Sequence, residues 1–283
     1  MSGWQRGILV CLWLCISLCA CAPGGQNNTD PPLEVIFLDV GQGDSVLLRT
    51  KSGDILIDAG PEESEGELCR KLRAYGVKSL LLMVFSHFDE DHIGGADGVL
   101  QSFGAKEIWC PPGGAQNQAY RFLLSEAEAC GAEVKEVMAG ELRHIDAIKL
   151  FVFSPGHDAS NDSNESGIVL KVTCGKTSAL FMGDAGVETE EKLLEKYGTV
   201  HFASSLYKVG HHGSSTASST AFLEAVSPDW AVICCGAANS FGHPHGEVVA
   251  RLEKVGAAVL RTDRLHDVTF FCNGEEFILQ NKD

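Results

Sequence analysis

Positive charge is scarce in this chain. It has 22 Lys and Arg against 38 Asp and Glu over 283 residues, a formal net charge of -16. Such a surface repels nucleic acid at long range, which disfavours a basic-groove binding module. C-x-x-C spacing is absent despite 11 cysteines, which argues against a structural zinc or iron–sulfur site. There is no internal repeat and no low-complexity run. The longest apolar run, Gly7 to Ala20, is short for a membrane span. What remains is 45% hydrophobic and 21% charged, with 31 Gly and 9 Pro. That suits one large domain with a sizeable core and many turns.

Arg6 followed by the run to Ala20 has the form of a signal-peptide core. Leu18-Cys19-Ala20-Cys21 resembles a bacterial lipobox. The resemblance implies cleavage before Cys21, a lipid on its sulfur and an extracytoplasmic, membrane-anchored protein. An ordinary secretory signal cut nearby is the alternative, and would give a secreted protein. Removing residues 1–20 takes away only Arg6, so the mature chain is one unit more negative. The expected organisation is a signal over 1–21, a flexible tether over 22–33 and one domain over 34–283. Seven cysteines lie beyond the signal, and an odd number argues against a full disulfide framework. Cys234 and Cys235, in Ala231-Val232-Ile233-Cys234-Cys235-Gly236, read as buried core thiols.

Along the domain, strands are expected over 34–40, 44–49, 55–57, 79–85 and 107–109, with helices over 63–75, to about 103, and over 117–130. The second half repeats the pattern. Strands are expected over 147–153, 168–173, 178–182, 204–209, 230–234, 259–261, 268–272 and 276–279. Helices fall over 188–197, 219–226 and 247–255. Interleaved strands and helices in two halves suit an α/β fold, a four-layer αββα sandwich.

The chemistry gathers where strands end. Ser86-His87-Phe88-Asp89-Glu90-Asp91-His92-Ile93-Gly94-Gly95 packs His87, Asp89, Asp91 and His92 into six positions with no Lys or Arg among them. Such crowding wastes polarity unless a cation sits between the groups. The apolar run Ser79 to Phe85 places the cluster at the carboxyl end of a buried strand, where open α/β folds hold their chemistry. Gly183-Asp184, Gly210-His211-His212-Gly213 and Gly242-His243-Pro244-His245 follow later strands in the same way.

His87-x-Asp89-x-Asp91-His92 resembles the first motif of the metallo-β-lactamase superfamily, usually His-x-His-x-Asp-His, and Gly183-Asp184 resembles its metal-bridging Asp. More narrowly, four motifs are similar to the ComEC-type hydrolase domains. They are Phe37-Leu38-Asp39-Val40-Gly41-Gln42-Gly43-Asp44-Ser45, Leu56-Ile57-Asp58-Ala59-Gly60, Lys208-Val209-Gly210-His211-His212-Gly213-Ser214 and Gly242-His243-Pro244-His245. The likeness runs from about 34 to 273. It implies a metal site of His87, Asp89, Asp91, His92 and Asp184 with one of His211 and His212. His211 matches the usual position better, and His212 is then a supporting residue or proton donor. His157 is the candidate for a third-motif His. Asn164 fits an Asn expected near the next strand, while Gly167 stands where a Ser is expected. Asp58 could orient a ligand His, and Asp39 and Asp44 read as turn residues.

The cofactor implied is one or two divalent ions, manganese or zinc ahead of magnesium. They would lower the pKa of a bound water and polarise the substrate. Asp91, His212 and His243 are the further catalytic candidates, with Lys208 expected to neutralise a substrate phosphate and Asn164 and His243 to contact substrate. The function implied is a phosphodiesterase, with DNA the leading substrate. A phosphodiesterase on choline-decorated teichoic acid, a lactone or β-lactam hydrolase, and a metal-free binding lipoprotein are the alternatives. No protein partner is indicated.

Overall fold

The computed structural model describes residues 32–114, 117–156 and 164–280. These residues fall in one compact unit. Strand-forming runs pair into two sheets. The first contains β1 (Leu33–Phe37), β2 (Val46–Thr50), β3 (Gly53–Ile57), β4 (Leu80–Val84), β5 (Ala105–Cys110) and β6 (Glu133–Glu136). The second contains β7 (Leu142–Ile145), β8 (Ile148–Ser154), β9 (Val169–Cys174), β10 (Thr177–Phe181), β11 (Leu206–Lys208), β12 (Trp230–Ile233) and β13 (Ala258–Arg261). The last two strands, β14 (Val268–Cys272) and β15 (Phe277–Leu279), return to the first sheet. Its order is β15-β14-β1-β2-β3-β4-β5-β6, and that of the second is β13-β12-β11-β10-β9-β8-β7.

Each sheet is antiparallel on one side and parallel on the other. β3, β4, β5 and β6 run parallel, as do β10, β11, β12 and β13. The helices are α1 (Glu65–Ala74), α2 (Glu90–Ile93), α3 (Ala96–Phe103), α4 (Gln118–Cys130), α5 (Val187–Tyr197), α6 (Thr220–Val226), α7 (Gly246–Lys254) and α8 (Thr262–Leu265).

Alternation of side chains across the strands makes four layers. Val35, Phe37, Leu48 and Val84 of the first sheet meet Leu150, Val172, Phe181 and Val232 of the second in a central core. On the outer face of the first sheet, Leu68 of α1, Val99 of α3 and Leu123 of α4 cover Ile36, Leu56 and Met83. On the outer face of the second, Leu193, Phe222 and Val248 of α5, α6 and α7 cover Leu180, Tyr207 and Ile233. Covering both faces explains why Leu80-Leu81-Leu82-Met83-Val84 is continuously apolar. Each large side chain so buried contributes about 1.5–3 kcal/mol.

The αββα architecture expected from the sequence is the one observed. Local signals also act as read: Asn117 caps α4 through Oδ1, which accepts from Tyr120 N at 3.2 Å, and Gly131 ends it at φ 75°. Three features differ. β6 and β7 are strands although Glu-Val-Lys-Glu and Leu-Arg-His-Ile carry almost no apolar alternation; they are edge or near-edge strands that expose polar side chains. Asp91 and His92 lie on a separate helical turn, α2, between the expected strand and the helix that follows it. Leu33, expected outside the domain, belongs to β1 and is fully buried. Cys21 and His157 lie outside the described residues.

Candidate metal centre

Asp58 organises the first half of the site. It follows β3 in the left-handed region, at φ 57°, and its N–H donates to Val84 O at 2.8 Å. Its Oδ1 accepts from Ser86 N at 2.7 Å, and its Oδ2 accepts from Ser86 Oγ at 2.7 Å. The same Oδ2 lies 2.9 Å from His92 Nδ1. A carboxylate only accepts, so His92 carries its proton on Nδ1 and presents Nε2 to the site. Ser86 spends its one hydroxyl proton on Asp58, so toward His87 Nδ1, 3.0 Å away, its oxygen accepts. His87 therefore also carries a proton on Nδ1 and presents Nε2. One buried Asp–Ser pair sets both imidazoles.

The turn α2 brings in Asp91. Its carboxylate Oδ2 lies 3.1 Å from His212 Nε2. Gly43 permits the approach of the preceding loop: at φ 151°, any Cβ there would lie 2.4 Å from Asp91 O. Asp44 N donates to that same oxygen at 3.1 Å.

The second sheet supplies the other half. Asp184 follows β10, with Oδ1 3.2 Å from His92 Nε2 and Oδ2 3.5 Å from His212 Nε2 and 3.6 Å from His211 Nε2. His211 and His212 stand consecutively in the left-handed region, at φ 49° and 51°. Two such residues in a row cost about 1–3 kcal/mol each, a strain typical of functional turns. His212 Nδ1 lies 3.0 Å from Cys234 O and 3.2 Å from Asp44 Oδ1, which turns its Nε2 toward Asp91 and Asp184.

Asp44, His92, Asp184 and His212 are all buried, and each offers a ligand atom within 4.8 Å of the others. Among the described residues, His87 Nε2, His92 Nε2 and Asp184 Oδ1 are buried with no hydrogen-bond partner. His92 Nε2 and Asp184 Oδ1 face each other at 3.2 Å without a hydrogen bond, and a cation among these atoms would satisfy them. The mixed imidazole and carboxylate donors suit a divalent transition metal. The residues therefore fit the ion that the motif implies.

The electrostatics say the same. Burial pushes the Asp184 carboxyl up, but His212 and His92 outweigh it and hold it well below the usual carboxylate range. Burial opposes charging of His92, yet Asp184 and Asp58 raise it well above the ordinary imidazole value. Against the same burial, Asp184 and Asp44 lift His212 to about 9. Burial and His92 push His87 down. Protons on His92 and His212 thus supply positive charge that a dication would otherwise bring.

Most of the expected site residues converge here: His87, Asp91, His92, Asp184, His211 and His212. Asp89 stands at the N-cap position of α2, its side chain making no capping hydrogen bond and its Oδ2 lying 3.7 Å from His87 Nε2. His243 lies alongside, its ring 5.8 Å from that of His211 and 6.3 Å from that of His212. Asn164 is in the turn before β9, where Gly167 packs on Ser86 and His87; a Cβ on Gly167 would stand 3.1 Å from Ser86 O and 3.7 Å from His87 Cβ.

Lys208 departs from expectation. It is 2% exposed, and its ammonium is paired with Asp44. The amine expected to meet a substrate phosphate is committed to a buried carboxylate. Asp44, read from the sequence as a turn residue, is part of the cluster. Burial raises its carboxyl, but Lys208 and His212 more than reverse this and leave it lowered. The signal for Asp44 is the preceding Gly-Gln-Gly, which lets backbone pass against Asp91.

Residues 38–129 match the family model of the metallo-beta-lactamase superfamily. The chain is 30% identical over 249 residues to ComE operon protein 3 of Bacillus subtilis, covering 82% of this chain and 32% of that protein. It is 35% identical over 230 residues to competence protein ComA of Neisseria gonorrhoeae, covering 81% and 31%. The chain spans about a third of the length of these relatives. Among solved structures, the metallo-beta-lactamase fold protein YhfI of Bacillus subtilis superposes with a TM-score of 0.55 at 10% identity, covering 81% of this chain and 95% of that one, which speaks for the fold alone.

Proposed function

The chain belongs to the metallo-beta-lactamase superfamily, and from that membership we propose that it is a metal-dependent hydrolase of phosphodiesters, with nucleic acid the leading substrate class. The observation that carries the reading is the set of buried ligand atoms that gather where the two sheets meet without making a hydrogen bond: His87 Nε2, His92 Nε2 and Asp184 Oδ1. His87, Asp91, His92, Asp184 and one or both of His211 and His212 would hold one or two ions, with Asp89 beside them. When bound, a divalent ion lowers the pKa of a water and polarises the substrate oxygen. The chain's own task is orientation. Asp58 and Ser86 hold the protons of His87 and His92 on Nδ1, so that both Nε2 atoms stay available. Lys208 neutralises Asp44 and thereby steadies the carboxylate against His212 Nδ1. His243, which burial and the neighbouring histidines hold down at about 4, is neutral at pH 7 and can hydrogen-bond a substrate oxygen without repelling a nearby cation. Homology to a competence protein accords with nucleic acid.

A second reading has one observation behind it. A groove of about 800 Å³ runs beside α2, where Glu62, Glu90, Asp97 and Glu126 outnumber Arg121 and stand with Phe88 and Phe122. Carboxylates with aromatic rings suit a cationic substituent, as on a choline-decorated envelope polymer. A panel of phosphodiesters with manganese or zinc supplied separates the two: oligonucleotide, bis(p-nitrophenyl) phosphate and phosphorylcholine-bearing polymer. Turnover of the oligonucleotide supports the first reading, and turnover of the polymer alone supports the second. No turnover of any member refutes both. In this proposal the enzyme also lies outside the cytoplasm on a lipid anchor, a reading supported by the lipobox-like Leu18–Cys21. Intact-mass analysis of protein from a native membrane tests that part. An unmodified chain beginning elsewhere would remove the anchor.

A further inference from the structure

Phe241 is 63% exposed. An isolated exposed aromatic carries little meaning; the loop that holds this one carries more. Asn239 clamps the loop from within. Its Oδ1 accepts from Phe241 N at 3.2 Å and from His243 N at 3.0 Å. Its Nδ2 donates to Gly236 O at 3.0 Å and to His243 O at 2.7 Å. The loop is also fixed to the turn that carries His211 and His212. Pro244 lies so close to Gly213 that a Cβ on Gly213 would stand 2.6 Å from Pro244 Cβ. His245 N donates to Gly213 O at 2.9 Å, and Ser215 N donates to His245 Nδ1 at 2.9 Å. The Phe241 ring stacks on His243, with centroids 5.6 Å apart and planes 21° from parallel. His243 in turn neighbours His211 and His212. The result is a rigid, solvent-facing aromatic surface tied to the metal-binding turn.

We propose that Phe241, backed by His243, is a stacking platform for an unpaired base of single-stranded nucleic acid whose adjoining phosphate lies at the His/Asp cluster. The proposal rests on the phosphodiesterase reading and names its substrate more narrowly. Stacking is the recognition mode that a chain of net charge -16 can use, because it does not depend on a basic groove. A base within a duplex has both faces covered, so the platform selects single strands. Every base has a flat face, so it does so without regard to sequence.

The test is binding of a fluorescent, phosphorothioate-linked oligothymidylate, which keeps its charge and resists cleavage. Wild type, Phe241→Leu and Phe241→Tyr are compared in the presence of manganese, alongside an abasic oligomer of the same length. Leu keeps apolar bulk without an aromatic face. The expected result is binding weakened roughly tenfold or more in Phe241→Leu and retained in Phe241→Tyr. The abasic oligomer should bind weakly and equally to all three. Equal binding of the oligothymidylate by wild type and Phe241→Leu, equal binding of the abasic oligomer and the oligothymidylate, or no binding by wild type each overturns the platform. Hydrolysis of bis(p-nitrophenyl) phosphate by wild type, measured in parallel, reports on the phosphodiesterase reading separately. If hydrolysis is present and binding is indifferent to Phe241, the platform fails and the enzyme stands.

Discussion

Lys208→Met is expected to unfold this protein more easily rather than to slow it selectively. The lysine is buried and its ammonium contacts Asp44, itself 3% exposed. Met keeps most of the stem and removes the charge. Asp44 is then left buried with only the imidazoles for compensation, His212 Nδ1 at 3.2 Å and His92 Nδ1 at 3.8 Å. Breaking a buried ion pair from one side costs about 3–5 kcal/mol, and the two imidazoles place this case near the lower end. In a domain of this size each kcal/mol moves the melting temperature by about 2–4 °C, so a fall of roughly 6–12 °C is expected. Thermal melts of the metal-free protein, followed by circular dichroism, read it directly. Asp44→Asn combined with Lys208→Met should recover part of the loss, because the stranded charge goes with it. If Lys208→Met melts within about a degree of wild type yet loses about a hundredfold in turnover, the size of effect seen on removing one oriented donor, the lysine serves the substrate and the reasoning from burial is wrong.

Asp58→Asn leaves one accepting oxygen where Ser86 N–H on one side and Ser86 Oγ with His92 Nδ1 on the other need two, and should weaken metal binding about 10–100-fold by calorimetry; unchanged affinity would deny Asp58 its orienting role. Gly43→Ala forces a Cβ against Asp91 O from a backbone angle that suits glycine, and should cost about 1–3 kcal/mol in urea unfolding as well as lowering metal affinity; a neutral result would mean the loop is not seated as described. Stability of the metal-free protein should vary with pH in two limbs. His212 is raised to about 9, so its contribution is complete below the ordinary imidazole value of about 6.5 and is lost as pH rises through about 9. Asp44, Asp91 and Asp184 are lowered, so their contribution is lost as pH falls below the usual carboxylate range. Saturating metal should abolish the alkaline limb by replacing the protons, and a metal-free melting temperature that stays level up to about pH 9 would contradict the assigned charges.

The ligand cluster was legible because each part is local: an apolar strand, then His or Asp at its carboxyl end. The helix limits at Asn117 and Gly131 were legible for the same reason, since capping acts within one turn. The Asp44–Lys208 pair was not, because it forms only where the two sheets meet and nothing near either residue announces the other. Its burial also reverses the meaning of Lys208, which beside a His-rich motif looks available to substrate. β6 and β7 were missed because their pairing comes from sheet neighbours rather than from their own apolar pattern. The return of β14 to pair with β1 likewise depends on the whole chain: Leu33 faces Cys272 and Phe37 faces Val268, contacts that no local window contains.

The central claim is that His87, Asp91, His92, Asp184 and the His211–His212 turn hold metal that hydrolysis requires. Metal content and phosphodiester turnover, measured on the same preparations of wild type and Asp184→Ala before and after chelation, test it most directly. The account predicts one or two divalent ions per wild-type chain, turnover lost on chelation and restored by manganese or zinc, and neither metal nor turnover in a folded Asp184→Ala. Wild-type turnover that survives chelation, or an Asp184→Ala variant as active as wild type, would contradict it.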